Sequence, residues 1–354
     1  MFFILDQKTR GGLGKMKRFI SLLIITILVF AVGFSVSAET IVLRYAHFAP
    51  PEQPIEIAGR EMGDRIAERT DGAFELRTFP ASQLGGPQEM IQLNIEGSTN
   101  LTTHSASGLG EVYSPLAIVD APFVFESIEH AREFFRSDLM QDIAKGLLEE
   151  RGLRILDASG MFGARHLSTR NTPVREPSDL EGLRIRVHEA ESRADMIRAW
   201  GAEPVITPTE EMYMAMQTGL ADGQESPFSW QRDNKYWEVQ NYVMHTGHFI
   251  QNEVLVINEE FFQSLSSEHQ QIIKEEAIIW ADEVTRMYEE ANAAAVGTLQ
   301  EEGMTYIDDV NIAAFQEATV SMWDKWESTW GEGLHFKVVD REYNVLSPEE
   351  WQDY

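Results

Sequence analysis

Hydrophobic and polar positions divide the chain into a leader and an alternating body. Residues 19–34 are an uncharged run, apolar apart from Ser21 and Thr26, preceded by Lys15, Lys17 and Arg18 and followed by Val36, Ser37 and Ala38. Beyond it, short apolar runs alternate with stretches of helical period. Residues 41–46 predict a strand, and after Pro50, Pro51 and Pro54 an amphipathic helix over 55–69 ends at Gly72. Further strands are predicted over 74–79, 99–103, 153–157 and 183–187, and helices over 87–95, 128–148, 190–200 and 209–220. Thr207 with Glu210 fits a capping box for the last helix, and Thr209 is an equally good cap. From 267 to 302 there is no Pro, and Ile272, Ile273, Ala277, Trp280, Val284, Met287, Tyr288 and Ala291 recur at helical spacing. The pattern predicts one helix of about 36 residues, with Gly297 as its weak point. That is too long for one small lobe and reads as a strut along two. The fold class is α/β.

The leader has the basic start, apolar core and small-residue end of a secretory signal peptide, with cleavage after Ala38. Its apolar run is slightly short for a spanning helix, so an uncleaved anchor is the minor reading. Met16 opens a conventional signal, and residues 1–15 read equally as a mis-assigned upstream start. The 354 residues suffice for about two domains. Lys and Arg number 29 against 57 Asp and Glu, a net charge of −28 that becomes −32 once the leader's net +4 is removed. Such a balance repels nucleic acid and anionic membrane surfaces. The absence of cysteine excludes disulfides, thiolate metal sites, cysteine nucleophiles and a lipid anchor on an N-terminal Cys. With the signal, this points to a Gram-negative periplasm.

Motifs of catalysis are missing. The chain has no G-x-S-x-G elbow, H-E-x-x-H, Walker A loop, G-x-G-x-x-G or acidic calcium loop. His188, Glu189 and Glu191 could be written as metal ligands but read better as a solvated polar cluster, and His245 with His248 is uncommitted. Met212, Tyr213 and Met216 read as core. Neither a metal nor a cofactor is expected.

Several ordered segments remain: FPASQLGGPQEM at 79–90, DAPFVF at 120–125, GARHLSTRNTP at 163–173, PSDLEGLRIRV at 177–187, WGAEPVITPTEEMYMAMQTGLADGQESP at 200–227 and WEVQNYVMHTGH at 237–248. Their order and spacing resemble the extracytoplasmic solute-binding subunits of TRAP (tripartite ATP-independent periplasmic) transporters over nearly all of the chain after residue 40. The L-x-G-L-x-I-R-V strand followed by A-D-G-Q-E is the most specific element. The resemblance implies a two-lobe periplasmic-binding fold, type II-like, with the long helix spanning both lobes. Residues 39–162 plus 252–291 would form the first lobe, and 163–251 plus 292–354 the second. It implies a monomeric receptor that closes over a small organic carboxylate or zwitterion and hands it to an ion-driven membrane permease, without catalysis. A periplasmic enzyme on a similar scaffold and a binding protein serving a sensor are the alternatives.

Residue chemistry agrees with the resemblance at two arginines. Arg186 sits between apolar Ile185 and Val187 in a strand, where a charge is costly without a partner. A guanidinium fork matches a carboxylate bidentately, as a Lys cannot. By resemblance Arg186 is the main carboxylate-binding residue and Arg165 the second, with Arg170 as a rival for that role. The plainer alternative for either is a structural ion pair, for Arg186 with Glu189 or Glu191. Two departures stand out: Ser226 replaces the usual asparagine after A-D-G-Q-E, and Glu189 stands where a neutral residue is common. Further pocket candidates are His47 or Phe48, His104 and Ser105 from the first lobe, Thr209, Phe228 and Trp230 from the second, and Phe162 near the hinge.

Overall fold

A computed structural model describes residues 40–188 and 190–354. The leader with its proposed cleavage position, and Glu189, lie outside the described residues. The strands are β1 (Ile41–Ala46), β2 (Phe74–Phe79), β3 (Leu101–His104), β4 (Leu153–Thr169), β5 (Arg184–Val187), β6 (Glu203–Ile206), β7 (Gly223–Ser226), β8 (Tyr242–Asn258) and β9 (Thr305–Ile307). They form one mixed sheet in the order β2-β1-β3-β8-β4-β7-β5-β6, with β9 pairing β8. β1 runs parallel to β2 and β3, and β5 parallel to β6 and β7, as their helical crossovers require.

β4 and β8, 17 residues each, are antiparallel to one another and tie the two ends of the sheet together. β3 pairs with β8 at 254–257, whereas β7 pairs with β4 at 166–169 and β9 with β8 at 242–244. Between these ends the β4–β8 register shifts at Ile155/Asp157, Asp157/Gly160, Met161/Gly163 and Arg165/Leu167. The sequence predicts only the first part of β4 and none of β8. Buried polar residues explain this: Asp157, Ser159, Arg165 and His166 in β4, and Thr246, His248, Asn252 and Glu253 in β8, interrupt the apolar pattern although the strands continue.

The predicted 128–148 helix is two helices, Ile128–Phe135 and Asp138–Arg151. Ser137 starts the second, its hydroxyl accepting from the Met140 N–H at 3.1 Å, which favours a fresh helix start over continuation. The 209–220 helix is a 3-10 turn, Thr209–Glu211, followed by Met212–Gln217. Neither threonine caps it: Pro208 holds the N-cap position, and the Thr207 hydroxyl is engaged by Arg186 instead. The long helix is present as Ser267–Glu301, 35 residues and therefore about 52 Å, and it continues through Gly297. Ser266 caps it by accepting from His269 N–H. Its first two thirds bury Ile273, Trp280, Val284 and Tyr288 against β1 and β8 residues. Its last turns bury Ala295 and Leu299 with Phe228 and Val243, so one helix serves both ends of the sheet.

Beyond the helix Ile312–Trp330 the chain returns to the β1–β3 end. Trp330, Leu334, Val338 and Trp351 join the cluster of Phe134, Leu147 and Leu153. Arg154 lies over the Tyr354 ring at 5.1 Å, and the Tyr354 hydroxyl donates to the Ile155 carbonyl at 2.5 Å.

Candidate functional site

Arg186 is 1% exposed in the middle of β5, which is bracketed by β6 and β7. Its Nε donates to Thr207 Oγ1 at 3.3 Å and its Nη2 to the Thr207 carbonyl at 2.6 Å. No carboxylate pairs with it among the described residues. Burial pulls its guanidinium down to about 10 against the attraction of Glu225, so it remains a cation at neutral pH.

Arg165, in the bulged centre of β4, has a different environment. Its Nε donates to Glu225 Oε2 at 2.5 Å, its Nη2 to Glu225 Oε1 at 2.9 Å, and its Nη1 to the Gln251 amide oxygen. The structural ion pair weighed for this residue therefore exists, with Glu225 of β7 as the partner. Arg170 lies elsewhere, donating to the carbonyls of Val239 and Met216.

Glu225 is fully buried at the centre of a charged network. Burial works to raise its carboxyl, but Arg165, His248 and Arg193 more than offset this and hold it well below the ordinary range. His248 Nε2 is 3.3 Å from Glu225 Oε2, and its Nδ1 is 2.8 Å from the Thr246 hydroxyl. Ionised Glu225 can only accept, so Nε2 carries the ring proton towards it; Nδ1 of the neutral ring then accepts from the Thr246 hydroxyl, which itself accepts from Leu167 N–H at 3.2 Å. Arg193, on the helix Glu191–Ala199, reaches Glu225 Oε1 with Nη1 at 3.5 Å and Asp120 Oδ1 with Nε at 3.0 Å, its guanidinium 4.7 Å from the Phe249 ring. Three buried guanidinium ions, Arg165, Arg186 and Arg193, thus face two buried carboxylates, Glu225 and Asp120. One positive charge is left over, and it is carried by Arg186.

The other predicted positions fall into groups. Ser226 ends β7 with its Oγ buried and without a partner among the described residues. His104 is buried at the end of β3, its Nε2 equally unpartnered, and burial lowers it to about 3, so the ring is neutral. Ser105 caps the helix Ala106–Gly110 by accepting from Gly108 N–H at 3.1 Å. Phe48, Phe162 and Trp230 form a triangle of rings with centroids 6.3–6.5 Å apart, and Phe162 also packs on Tyr288 at 4.2 Å. Phe228 joins a separate cluster, stacked on His166 at 3.8 Å. Thr209 is half-buried at the 3-10 turn. His47 is buried against Glu56 at 2.8 Å.

Of the residues first weighed as metal ligands, Glu191 is taken up by Arg198 at 2.6 Å and His245 bonds the Tyr306 hydroxyl at 2.7 Å. Met212 and Met216 are core residues, as read from the sequence. Sequence reasoning gave no role to Glu225, Arg193, Asp120 or Gln251 and left His248 uncommitted. Their only signal was polarity inside segments that had to be buried.

Glu253 of β8 has no cationic partner among the described residues. Its Oε1 accepts from Gln251 Nε2 at 3.1 Å and its Oε2 is unpartnered. Burial pushes its carboxyl up to about 8, against the Gln251 hydrogen bond and the Arg165 charge, so it is neutral at pH 7. A carboxyl whose folded-state pKa is raised contributes stability below its unfolded pKa of ~4.3 that is lost as pH rises through about 8. The loss is on the order of 3–4 kcal/mol by pH 7. Glu253→Gln is expected to be free of it, so the stability of the variant relative to wild type should grow from pH 5 to pH 8 in denaturant titrations. A difference that does not change with pH would show that Glu253 is not held neutral.

The family profile described as bacterial extracellular solute-binding protein, family 7 (DctP) matches residues 45–329. The chain belongs to this family. Its relatives include the 2,3-diketo-L-gulonate-binding periplasmic protein YiaO of Escherichia coli, 29% identical over 78% of this chain and 84% of that one. The sialic acid-binding periplasmic protein SiaP of Vibrio cholerae is 27% identical over 89% of this chain and 97% of that one. Among solved structures, a TRAP periplasmic solute-binding protein of Chromohalobacter salexigens with bound D-glucuronate is 25% identical, with a TM-score of 0.80 over 84% of this chain and 99% of that one. Family 7 proteins of this kind are periplasmic receptors, not enzymes, and the α/β architecture is their two-lobe fold. Among the described residues, no helix is long and apolar enough to cross a membrane.

Proposed function

We propose that this protein is the receptor of a TRAP transporter that captures a small polyhydroxylated organic acid at Arg186 and delivers it to an ion-gradient-driven permease. The observation that carries the reading is the unpaired charge of Arg186. Its neighbours Arg165 and Arg193 are each matched to a carboxylate, whereas among the described residues Arg186 meets only the hydroxyl and carbonyl of Thr207. A ligand carboxylate supplies the missing anion through a charge-assisted, forked pair. The named ligands of the three relatives are sugar-derived acids, each combining a carboxylate with several oxygen functions. Buried, unpartnered Ser226 Oγ and His104 Nε2 suit the hydroxyls of such a ligand.

In this reading the chain is exported, cleaved after Ala38 and acts as a monomer. Residues 39–162 plus 252–291 form the first lobe and 163–251 plus 292–330 the second; the tail 331–354, expected from the sequence in the second lobe, is assigned here to the first because Leu334, Val338 and Trp351 pack with Phe134, Leu147 and Leu153. The test is a thermal-shift screen with D-glucuronate, D-erythronate, 2,3-diketo-L-gulonate and sialic acid. A ligand at 100 times its Kd adds about 2.7 kcal/mol, a rise in Tm of roughly 5 °C for a chain of this size. A flat response to all four would leave the family assignment standing and remove the sugar-acid reading.

A further inference from the structure

Asp120 is 2% exposed at the end of the 3-10 helix Ser114–Asp120, and both of its oxygens are used. Oδ2 accepts from Ser107 Oγ at 2.7 Å, within its own end of the sheet. The remaining contacts come from the helix that follows β5: Ser192 Oγ donates to Oδ2 at 3.3 Å and Arg193 Nε to Oδ1 at 3.0 Å. Arg193 then continues to Glu225, whose two oxygens also take Arg165. A second link lies close by, where Phe123 N–H donates to the His248 carbonyl at 2.9 Å. The segment around Asp120 is thus clamped to the helix Glu191–Ala199 and to β8, and through Arg193 to Glu225 of β7.

We propose that Arg193 is a positioning residue that locks Asp120 of the first lobe onto Glu225 of the second, and so sets both the placement of Arg165 and the angle between the lobes. The inference rests on the site reading above. Geometry separates it from plain packing. A single planar guanidinium spans two carboxylates on different lobes while sitting over the Phe249 ring, an arrangement that the point charge of a lysine cannot reproduce. Because Glu225 shares its charge between Arg165 and Arg193, any shift of Arg193 is felt at Arg165 without a contact between Arg193 and ligand.

The chain has no cysteine, so spin labels can be placed cleanly on Glu61→Cys and Gln217→Cys, exposed positions at the two ends of the sheet. Double electron–electron resonance is then measured without ligand in wild type, in Asp120→Asn, in Arg193→Lys and in the double variant Asp120→Asn/Arg193→Met. The expected result is a broader or displaced distance distribution in both single variants, by about 2 Å or more. The double variant, which leaves no unpaired charge at this pair, should recover thermal stability while keeping the altered distribution. Superimposable distributions in Asp120→Asn and wild type overturn the proposal. So does a distribution that returns to wild type together with stability, since that is the behaviour of a structural salt bridge.

Titration with D-glucuronate reads the site itself: at least tenfold weaker binding is expected in either single variant, and equal affinity overturns the proposal. A wild type that ignores D-glucuronate counts against the sugar-acid reading alone, and the ligand-free distances then decide.

Discussion

Arg186→Ala is expected to weaken binding of the organic acid by about 2–4 kcal/mol, roughly 30- to 1000-fold. The variant removes a buried forked partner that no other side chain can replace, because Arg165 and Arg193 are committed to Glu225 and Asp120. Arg186→Lys should recover only part of the loss, since an ammonium offers one point of charge in place of two parallel donors. Calorimetric titration with the acid that gives the largest thermal shift measures this, and a Kd within threefold of wild type for the alanine variant takes Arg186 out of the site. Arg186→Met, which keeps the bulk, should leave the ligand-free protein as stable as wild type or more stable. The charge it deletes has no carboxylate partner among the described residues, so its burial is a cost that ligand binding offsets.

Glu225→Gln should behave in the opposite way, lowering stability by about 3–5 kcal/mol in the absence of any ligand. The amide can still accept one hydrogen bond from Arg165, but the negative charge shared by Arg165, Arg193 and His248 is gone, leaving buried cations uncompensated. Denaturant unfolding should report the loss, with a fall in Tm of roughly 6–10 °C. A variant within 1 kcal/mol of wild type, on the order of the cost of one neutral hydrogen bond, would show that the network is held by its geometry and not by its charge. Taken together, the two variants separate a residue kept for binding from one kept for folding, although both are buried ions on adjacent strands of the same sheet.

Features with a simple period were legible in the sequence. The Pro-free stretch after Ser266 is the long helix to within a residue at its end, and Pro54, Pro87 and Gly72 mark helix boundaries where their backbone preferences require. Arg186 was legible for a related reason: a cation flanked on both sides by apolar residues, Ile185 and Val187, in a strand is an anomaly that local sequence can display. What could not be read was pairing between distant segments. Thr207 looks like a helix cap until β6 brings it beside Arg186. Glu225, His248, Arg193 and Asp120 are unremarkable polar residues until four separate elements converge. β8 was missed because its buried residues alternate between hydrocarbon and hydrogen-bonding groups, and burial of the latter depends on partners that lie 20 to 150 positions away. Glu189, the sharpest departure from the family pattern, lies outside the described residues.

The four register shifts between β4 and β8 bear on how such a molecule can flex. Both strands run unbroken from one end of the sheet to the other, so a change in angle between the ends cannot be a swing about a loose linker. It has to be taken up as curvature in a two-ply ribbon, at the steps where extra residues already interrupt the ladder and where Gly160 and Gly163 let Glu253 and Asn292 approach closer than a Cβ would allow. A ribbon bent at defined points has a restoring force and a limited range, which a flexible tether lacks. The long helix lies alongside it like a stiffening batten, with Asn292 Nδ2 pinned to the Phe162 carbonyl at 2.8 Å and Met161 N–H to Thr285 Oγ1 at 3.0 Å. Flexure is thereby confined to the bulged stretch between Ile155 and Leu167, which contains Arg165 and makes the spring and the clamp parts of one strand.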